Sequence, residues 1–259
     1  MANPMSPKAE ATVEVSDLNV HFSGKTVLAE VAFTLWPGEI TVIVGPSGSG
    51  KTTLLRSLNR LNECFPECDT KGAVRLRFDA RCGDIYKDFL PLPALRRRVG
   101  MIFQNPAVLP FSIWKNLTMP LRVTLGLTGA ALAERAERAL QNVSLWDEVK
   151  DRIHDAASTL SGGQQQRLCL ARVLALEPRI LLLDEPTASL DFRAAARIEE
   201  LLLELKDQYT ILAVSHSLSE TRRLADRVLV LREGRIVQEL DRQHLSDPAV
   251  FQQLIEAAF

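Results

Sequence analysis

Residues 45–52 read GPSGSGKT and fit the pattern G-x-x-x-x-G-K-[ST]. They close the short apolar run EITVIVG, 39–45, and open a helix predicted over about 50–62. Gly45, Gly48 and Gly50 free the backbone to turn successive N–H groups toward phosphate oxygens. Pro46, Ser47, Ser49 and Thr53 complete the candidate loop. Lys51 supplies a point charge for terminal phosphates, and the Thr52 hydroxyl is placed to ligate magnesium. This combination predicts a nucleoside triphosphate site.

Holding phosphate is not hydrolysing it, so the cation and the attacking water need further ligands. ILLLDEP, 180–186, offers them at the end of a second apolar run. Asp184 is placed to hold magnesium, directly or through water. Glu185 beside it is a candidate general base. Four aliphatic residues lead into this pair, so it is expected to be buried, where unpartnered carboxylates are costly. His216 follows YTILAVS, 209–215, and Gln104 follows VGMIF, 99–103. In a parallel sheet both emerge at the same carboxyl edge as Asp184. The Gln104 amide oxygen could then complete the magnesium shell.

LSGGQQQR, 160–167, offers no thiol, carboxylate or imidazole. It precedes the helix-prone stretch LCLARVLAL. Ser161 stands in a capping position, with the bare backbone of Gly162 and Gly163 next to it and Gln164 following. The first N–H groups of that helix would face open space, a second ready anion site in one chain.

The elements that position these groups alternate. TVEVSDLNV, 12–20, and AVRLRFD, 73–79, alternate like half-buried antiparallel strands. The runs at 39–45, 99–103, 179–184 and 209–215 are solidly apolar, as strands buried on both faces of a parallel sheet must be. Helical patterns fall at 112–122, 129–142, 163–175, 193–206 and 217–224, with a closing helix at 248–258. RVLVLREGRIVQEL, 227–240, reads as a hairpin turning at Glu233-Gly234. The class is α/β, with a helix-only patch near 110–150.

Composition narrows the function. Apolar residues are 46% and charged residues 24%, ordinary for a globular protein, and the net charge of -1 gives no basic field for nucleic acid. Arg96, Arg97 and Arg98 read as a solvated helix face. No apolar run reaches the roughly eighteen residues of a membrane span. MANPMSPKAE has no signal core and reads as a frayed tail. Cys64, Cys68, Cys82 and Cys169 are too scattered for a disulfide framework and read as reduced thiols.

Together these stretches resemble the ABC-type ATPase family, the ATP-hydrolysing subunits of membrane transporters. The resemblance runs over about residues 12–240, with GPSGSGKT as phosphate loop, Gln104 as glutamine loop and LSGGQQQR as signature. ILLLDE matches the second nucleotide motif, Ser189-Leu190-Asp191 the loop after it, and His216 the switch histidine. Phe22, before Gly24-Lys25, resembles the aromatic that stacks on adenine.

The resemblance implies a P-loop NTPase core with a mostly parallel sheet, an antiparallel β subdomain and an inserted helical subdomain. Residues 1–259 would form a single nucleotide-binding domain. Its parts would be a tail over 1–10, a core over 11–100 and 160–242, the helical subdomain over 101–159 and a C-terminal helix over 243–259. ATP and Mg2+ are the implied cofactors. The implied partners are a second, identical ATPase subunit, two transmembrane permease subunits and a solute-binding protein acting through them, with no nucleic acid. In such a head-to-tail pair, Ser161, Gly162 and Gly163 face the nucleotide held by the other copy. The place implied is the cytoplasmic face of the inner membrane, as a peripheral subunit. Phe111, Ile113 and Trp114 are then either core packing or a surface receiving a short helix from each permease.

SLNRLNE (57–63), GDIY (83–86), LRRRVGMIFQNP (95–106) and SLWDEVKDRIHD (144–155) look like the phosphate-import branch. The chain departs from that branch in NPAVLPFSI after Gln104, in Ser215-His216-Ser217, and in Phe192 after Asp191. Another oxyanion is the alternative solute. A non-transport ABC ATPase is the alternative class. About 110 residues separate Lys51 from Ser161, room for a helical subdomain but not a long coiled coil, and neither heptads nor basic stripes occur.

Overall fold

The computed structural model describes residues 10–79 and 81–258, so the tail expected over 1–10 lies, apart from Glu10, outside the described residues. Strand β1 (Val13–Phe22) turns through Ser23-Gly24, both at positive φ, into β2 (Lys25–Leu35), the two-residue hairpin geometry that matches strand twist. Buried β3 (Ile40–Val44) leads to α1 (Lys51–Ser57). Then come β4 (Cys68–Phe78), β5 (Arg81–Asp84), α2 (Leu92–Arg98) and β6 (Val99–Ile102). Helices α3 (Ile113–Leu125), α4 (Gly129–Asn142) and α5 (Trp146–Val149) precede α6 (Gly162–Leu174). The chain continues as β7 (Ile180–Asp184), α7 (Phe192–Leu205), β8 (Thr210–Val214) and α8 (Leu218–Leu224). It closes with β9 (Arg227–Arg232), β10 (Arg235–Asp241), α9 (Arg242–Leu245) and α10 (Pro248–Ala258).

Two sheets result. One is antiparallel in the order β2-β1-β4-β5; the other runs β10-β9-β3-β8-β7-β6, parallel except for the β9–β10 hairpin. The solid apolar runs are explained by which way their side chains point. Leu181 and Leu183 of β7 and Ile211 and Ala213 of β8 join a core shared with α3, α4, α6 and α7. Ile180, Leu182, Leu212 and Val214 point the other way, into a core shared with the antiparallel sheet and α1. Both faces are covered, so both positions of the two-residue repeat are apolar through Ile180–Leu183 and Ile211–Val214.

Some elements differ from expectation. The first helix stops at Ser57, not near 62, because Arg60 is left-handed (φ 57°) and the Asn62 amide returns to the Thr53 carbonyl and the Ser57 hydroxyl, both at 2.9 Å. Strand β2 escaped detection because its buried residues jump from Leu28 to Val31, where Glu30 takes φ 52° and its N–H bonds Asn19 Oδ1 at 3.0 Å. That bulge breaks the period of two. Arg96 is not a solvated residue: its guanidinium donates to the carbonyls of Asn59 and Arg60 behind α1, while Arg98 lies over the Phe78 ring. The closing segment is two helices, α9 and α10, with Pro248 opening the second.

Candidate nucleotide site

Four loops leave adjacent parallel strands β3, β8, β7 and β6 at one edge, carrying the phosphate loop, His216, Asp184-Glu185 and Gln104. The carboxyl-edge placement predicted for His216 and Gln104 beside Asp184 is what the sheet order produces, and the phosphate loop joins them there.

In the loop over 45–52, the glycines serve two different ends. Gly50 caps α1 at φ 103°, a conformation closed to other residues without strain. Gly45 has no such φ. A Cβ there would sit 2.1 Å from the Leu231 carbonyl oxygen, so its requirement is close approach rather than backbone freedom. The β9–β10 hairpin therefore backs the loop, and the Gly234 N–H donates to the Ser49 carbonyl at 3.1 Å. Pro46 accepts the Ser49 N–H, Ser47 and Gly48 are exposed, and the Ser49 hydroxyl is buried without a partner. The Thr53 carbonyl receives the Ser57 hydroxyl and the Asn62 amide.

Lys51 is only 6% exposed, and its Nζ donates to the carbonyls of Gly45 and Pro46, both at 2.8 Å. Burial pushes its pKa down, opposed by the charges of Glu185 and Asp184. Asp184, 7% exposed, is pushed up by burial, with the Thr52 hydrogen bond pulling against it and Glu185 adding to it. A bound polyanion with its cation would favour the charged form of both. Thr52 Oγ1 donates to Asp184 Oδ1 at 3.0 Å, so the two predicted metal ligands already stand together.

Glu185 is the centre of convergence. Its Oε1 meets His216 Nε2 at 2.6 Å, and its Oε2 accepts from Gln104 Nε2 at 3.1 Å. The residue takes φ 49°, uncommon for a side-chain-bearing residue and worth about 1–3 kcal/mol of strain. Its N–H is tied to the Val214 carbonyl at 3.1 Å, which locks the β7 and β8 ends together. With Gln104 donating through nitrogen, its amide oxygen is left for a cation. Thr52, Asp184 and Gln104 then offer hard oxygen donors of the kind Mg2+ takes, so the residues present fit that ion.

Ser161 caps α6 in a full capping box: its Oγ accepts the Gln164 N–H at 3.4 Å, and Gln164 Oε1 accepts the Ser161 N–H at 3.0 Å. The N–H groups of Gly162 and Gly163 have no acceptor within the helix. Gly163 is forced by packing, since a Cβ there would come within 2.7 Å of Ala194 Cβ on α7. Asp191 caps α7 through the N–H groups of Arg193 and Ala194. Phe22 is half-buried, edge-on to Phe65 at 6.2 Å, with Arg56 over the Phe65 ring.

Sequence reading missed the side chains that orient these motifs. Glu148 on α5 accepts from Gln164 Nε2 at 2.8 Å and from both terminal nitrogens of Arg167, at 2.7 and 3.1 Å. Those Arg167 bonds, chiefly, hold its carboxyl below the usual range, against some burial. Gln166, buried, donates to the Phe103 carbonyl and Arg172 to the Ala107 carbonyl, tying α6 to the segment around Gln104. No local pattern marks Glu148, which lies sixteen residues from its glutamine. Replacing Glu148 by Ala should leave nucleotide affinity unchanged and lower ATPase turnover roughly tenfold, because three charge-assisted bonds to the signature helix are lost. Parallel titration of nucleotide binding and steady-state turnover checks this.

The chain resembles known proteins in sequence and in fold. The sequence pattern of the ABC transporter family matches residues 28–188, more than half of the chain. The phosphate import ATP-binding protein PstB 1 of Lactococcus lactis subsp. lactis is 43% identical over 236 residues, 91% of this chain and 92% of that protein. PstB 2 of Streptococcus thermophilus is 44% identical over 230 residues, 88% and 89% of the two chains. Among solved structures, cbiO1 from Clostridium perfringens, part of the ABC transporter complex cbiONQ, aligns with TM-score 0.78 at 26% identity, over 96% of this chain and 95% of its own. The ATP-binding cassette MJ0796, dimeric and bound to ADP and Pi, aligns with TM-score 0.74 at 29% identity, over 89% and 98%. The chain belongs to the ABC transporter family, with the fold of its ATP-binding subunits.

Proposed function

We propose that this chain is the ATP-hydrolysing subunit of an importer for inorganic phosphate. The observation that carries the chemistry is Glu185, bracketed by His216 and Gln104 one residue beyond the Asp184–Thr52 pair. Lys51 and the loop N–H groups bind the terminal phosphates of ATP. Thr52, Asp184 and Gln104 hold Mg2+, which neutralises phosphate charge when bound. Glu185 takes the proton of the attacking water, and His216 and Gln104 fix its two oxygens. Phe22 stacks on the adenine. Ser161, Gly162, Gly163 and Gln164 present the signature N–H groups to the nucleotide of a second copy, so the working unit is a homodimer. Phe192, 84% exposed at the start of α7, is apolar surface beside that contact.

The solute is assigned from the relatives, the phosphate import proteins matched over about nine-tenths of the chain. Among the described residues no helix is long and apolar enough to cross a membrane, so translocation falls to two permease subunits, served by a solute-binding protein. The chain sits against them at the cytoplasmic face of the inner membrane. The expected division places the ATP-binding core at 11–100 and 160–242, but β6 carries the core sheet through Ile102. The helical subdomain therefore begins after it and runs to 159, and α9 and α10 follow the core in place of one C-terminal helix. Ile113 is fully buried in the core. Half-buried Trp114 packs against that core and also lines a groove on α3 that suits a permease helix, and half-buried Phe111 lies under the Lys115 ammonium that lines the same groove. Expressing the chain with its membrane partners should confer ATP-dependent uptake of labelled phosphate, abolished by chelating Mg2+. Uptake of another oxyanion in preference would reassign the solute, and co-purification with ribosomes or DNA instead of permeases would overturn the transport reading.

A further inference from the structure

Glu220 lies in the first turn of α8 and is only 5% exposed. Its Oε1 accepts a hydrogen bond from the Thr187 hydroxyl at 2.6 Å, and its Oε2 accepts one from the Ser215 hydroxyl. Thr187 is two residues after Glu185, and Ser215 is one residue before His216. Neither arginine on its own helix pairs with it: Arg222 donates to the carbonyls of Leu245 and Ser246, and Arg223 is engaged by both oxygens of Glu199, at 2.6 and 2.7 Å. A carboxylate buried on two hydroxyls is a costly way to fill space, and an apolar residue would fill it more cheaply.

The neighbourhood gives it something to hold. Glu185 sits in the left-handed region, where a side-chain-bearing residue stays only if its surroundings over-determine it. The loop after it is pinned through Thr187. On the other side, Ser215 Oγ accepts the Ser217 N–H at 3.0 Å while giving its proton to Glu220, and Ser217 Oγ accepts the Glu220 N–H at 3.2 Å. One hydrogen-bonded chain thus runs Thr187–Glu220–Ser215–Ser217 behind the Glu185–His216 contact, and these residues line the same cleft between α7 and α8.

We infer that Glu220 is a positioning residue, a buried clamp that joins the loop carrying Glu185 to the loop carrying His216 and sets the geometry of that pair. The inference rests on the reading of Glu185 and His216 as the hydrolytic pair. The bland role, an acid in the first turn favouring the helix dipole, acts on stability alone. The clamp acts on turnover.

The test compares Glu220→Gln, Thr187→Val and the double variant with the unmodified full chain, each with its permeases. Glu220→Gln keeps the size but cannot accept both hydroxyls. It should lower kcat roughly tenfold or more, with KM for ATP and nucleotide affinity within about twofold and the melting temperature little changed. Thr187→Val should lower kcat by less, and the double variant should be no worse than Glu220→Gln, since both changes break one contact. A kcat within about twofold of the unmodified chain in Glu220→Gln overturns the inference. So does a loss tracking the melting temperature. Should Glu220→Gln fail to fold, Thr187→Val decides alone: unchanged kcat counts against the clamp and reduced kcat at unchanged KM for it. Glu185→Gln run beside them separates the two levels. An active Glu185→Gln refutes the hydrolytic reading itself, whereas an inactive Glu185→Gln with a fully active Glu220→Gln refutes only the clamp.

Discussion

Replacing Glu185 by Gln should cut steady-state ATPase turnover by roughly a hundredfold or more while ATP stays bound. An amide cannot take a proton from water, yet it keeps the size of the carboxylate between His216 and Gln104. Nucleotide affinity is expected to hold or rise. The variant removes a negative charge whose field reaches Lys51 and Asp184, near where the polyanion binds. ATP then stays uncleaved between two copies, so the variant should elute as a dimer in ATP and as a monomer without it. Turnover at the unmodified rate would remove Glu185 from the base role.

A second large effect is expected from two variants that are each inactive alone. Ser161→Arg places a bulky cation where the signature would meet the other copy's nucleotide, and each lost donor to developing phosphate charge is worth about 3–4 kcal/mol. The fold should survive: Ser161 is exposed, and losing its cap costs about 1 kcal/mol. This variant should still bind ATP through its own phosphate loop. Lys51→Ala should fail earlier, at nucleotide binding, because the fixed charge over the loop is gone. In a mixed dimer one site joins an intact phosphate loop to an intact signature, and the other site has both halves damaged. Partial recovery of ATPase on mixing, absent from either variant alone, is the expected result. A crosslink placing Ser161 beside Lys51 of its own chain would contradict the shared site.

The sequence by itself determined the α/β class, the phosphate loop, the signature cap and the strand ends that carry Asp184, Glu185, His216 and Gln104. These are local demands. A strand covered on both faces is apolar on both, as Ile180–Leu183 is, and a helix start without an acceptor favours Ser161 and glycine. The same locality limits what can be read. The bulge at Glu30 concealed β2, because a period of two fails wherever one residue is inserted. The need for glycine at 45 comes from the Leu231 carbonyl, which no spacing near the loop records. Only the tertiary structure decided that both oxygens of Glu185 are taken by residues 81 and 31 positions away, that Glu148 orients the signature and that Glu220 joins two loops. Such contacts follow from the strand order β3-β8-β7-β6, which is set by how layers pack and leaves no period in the chain.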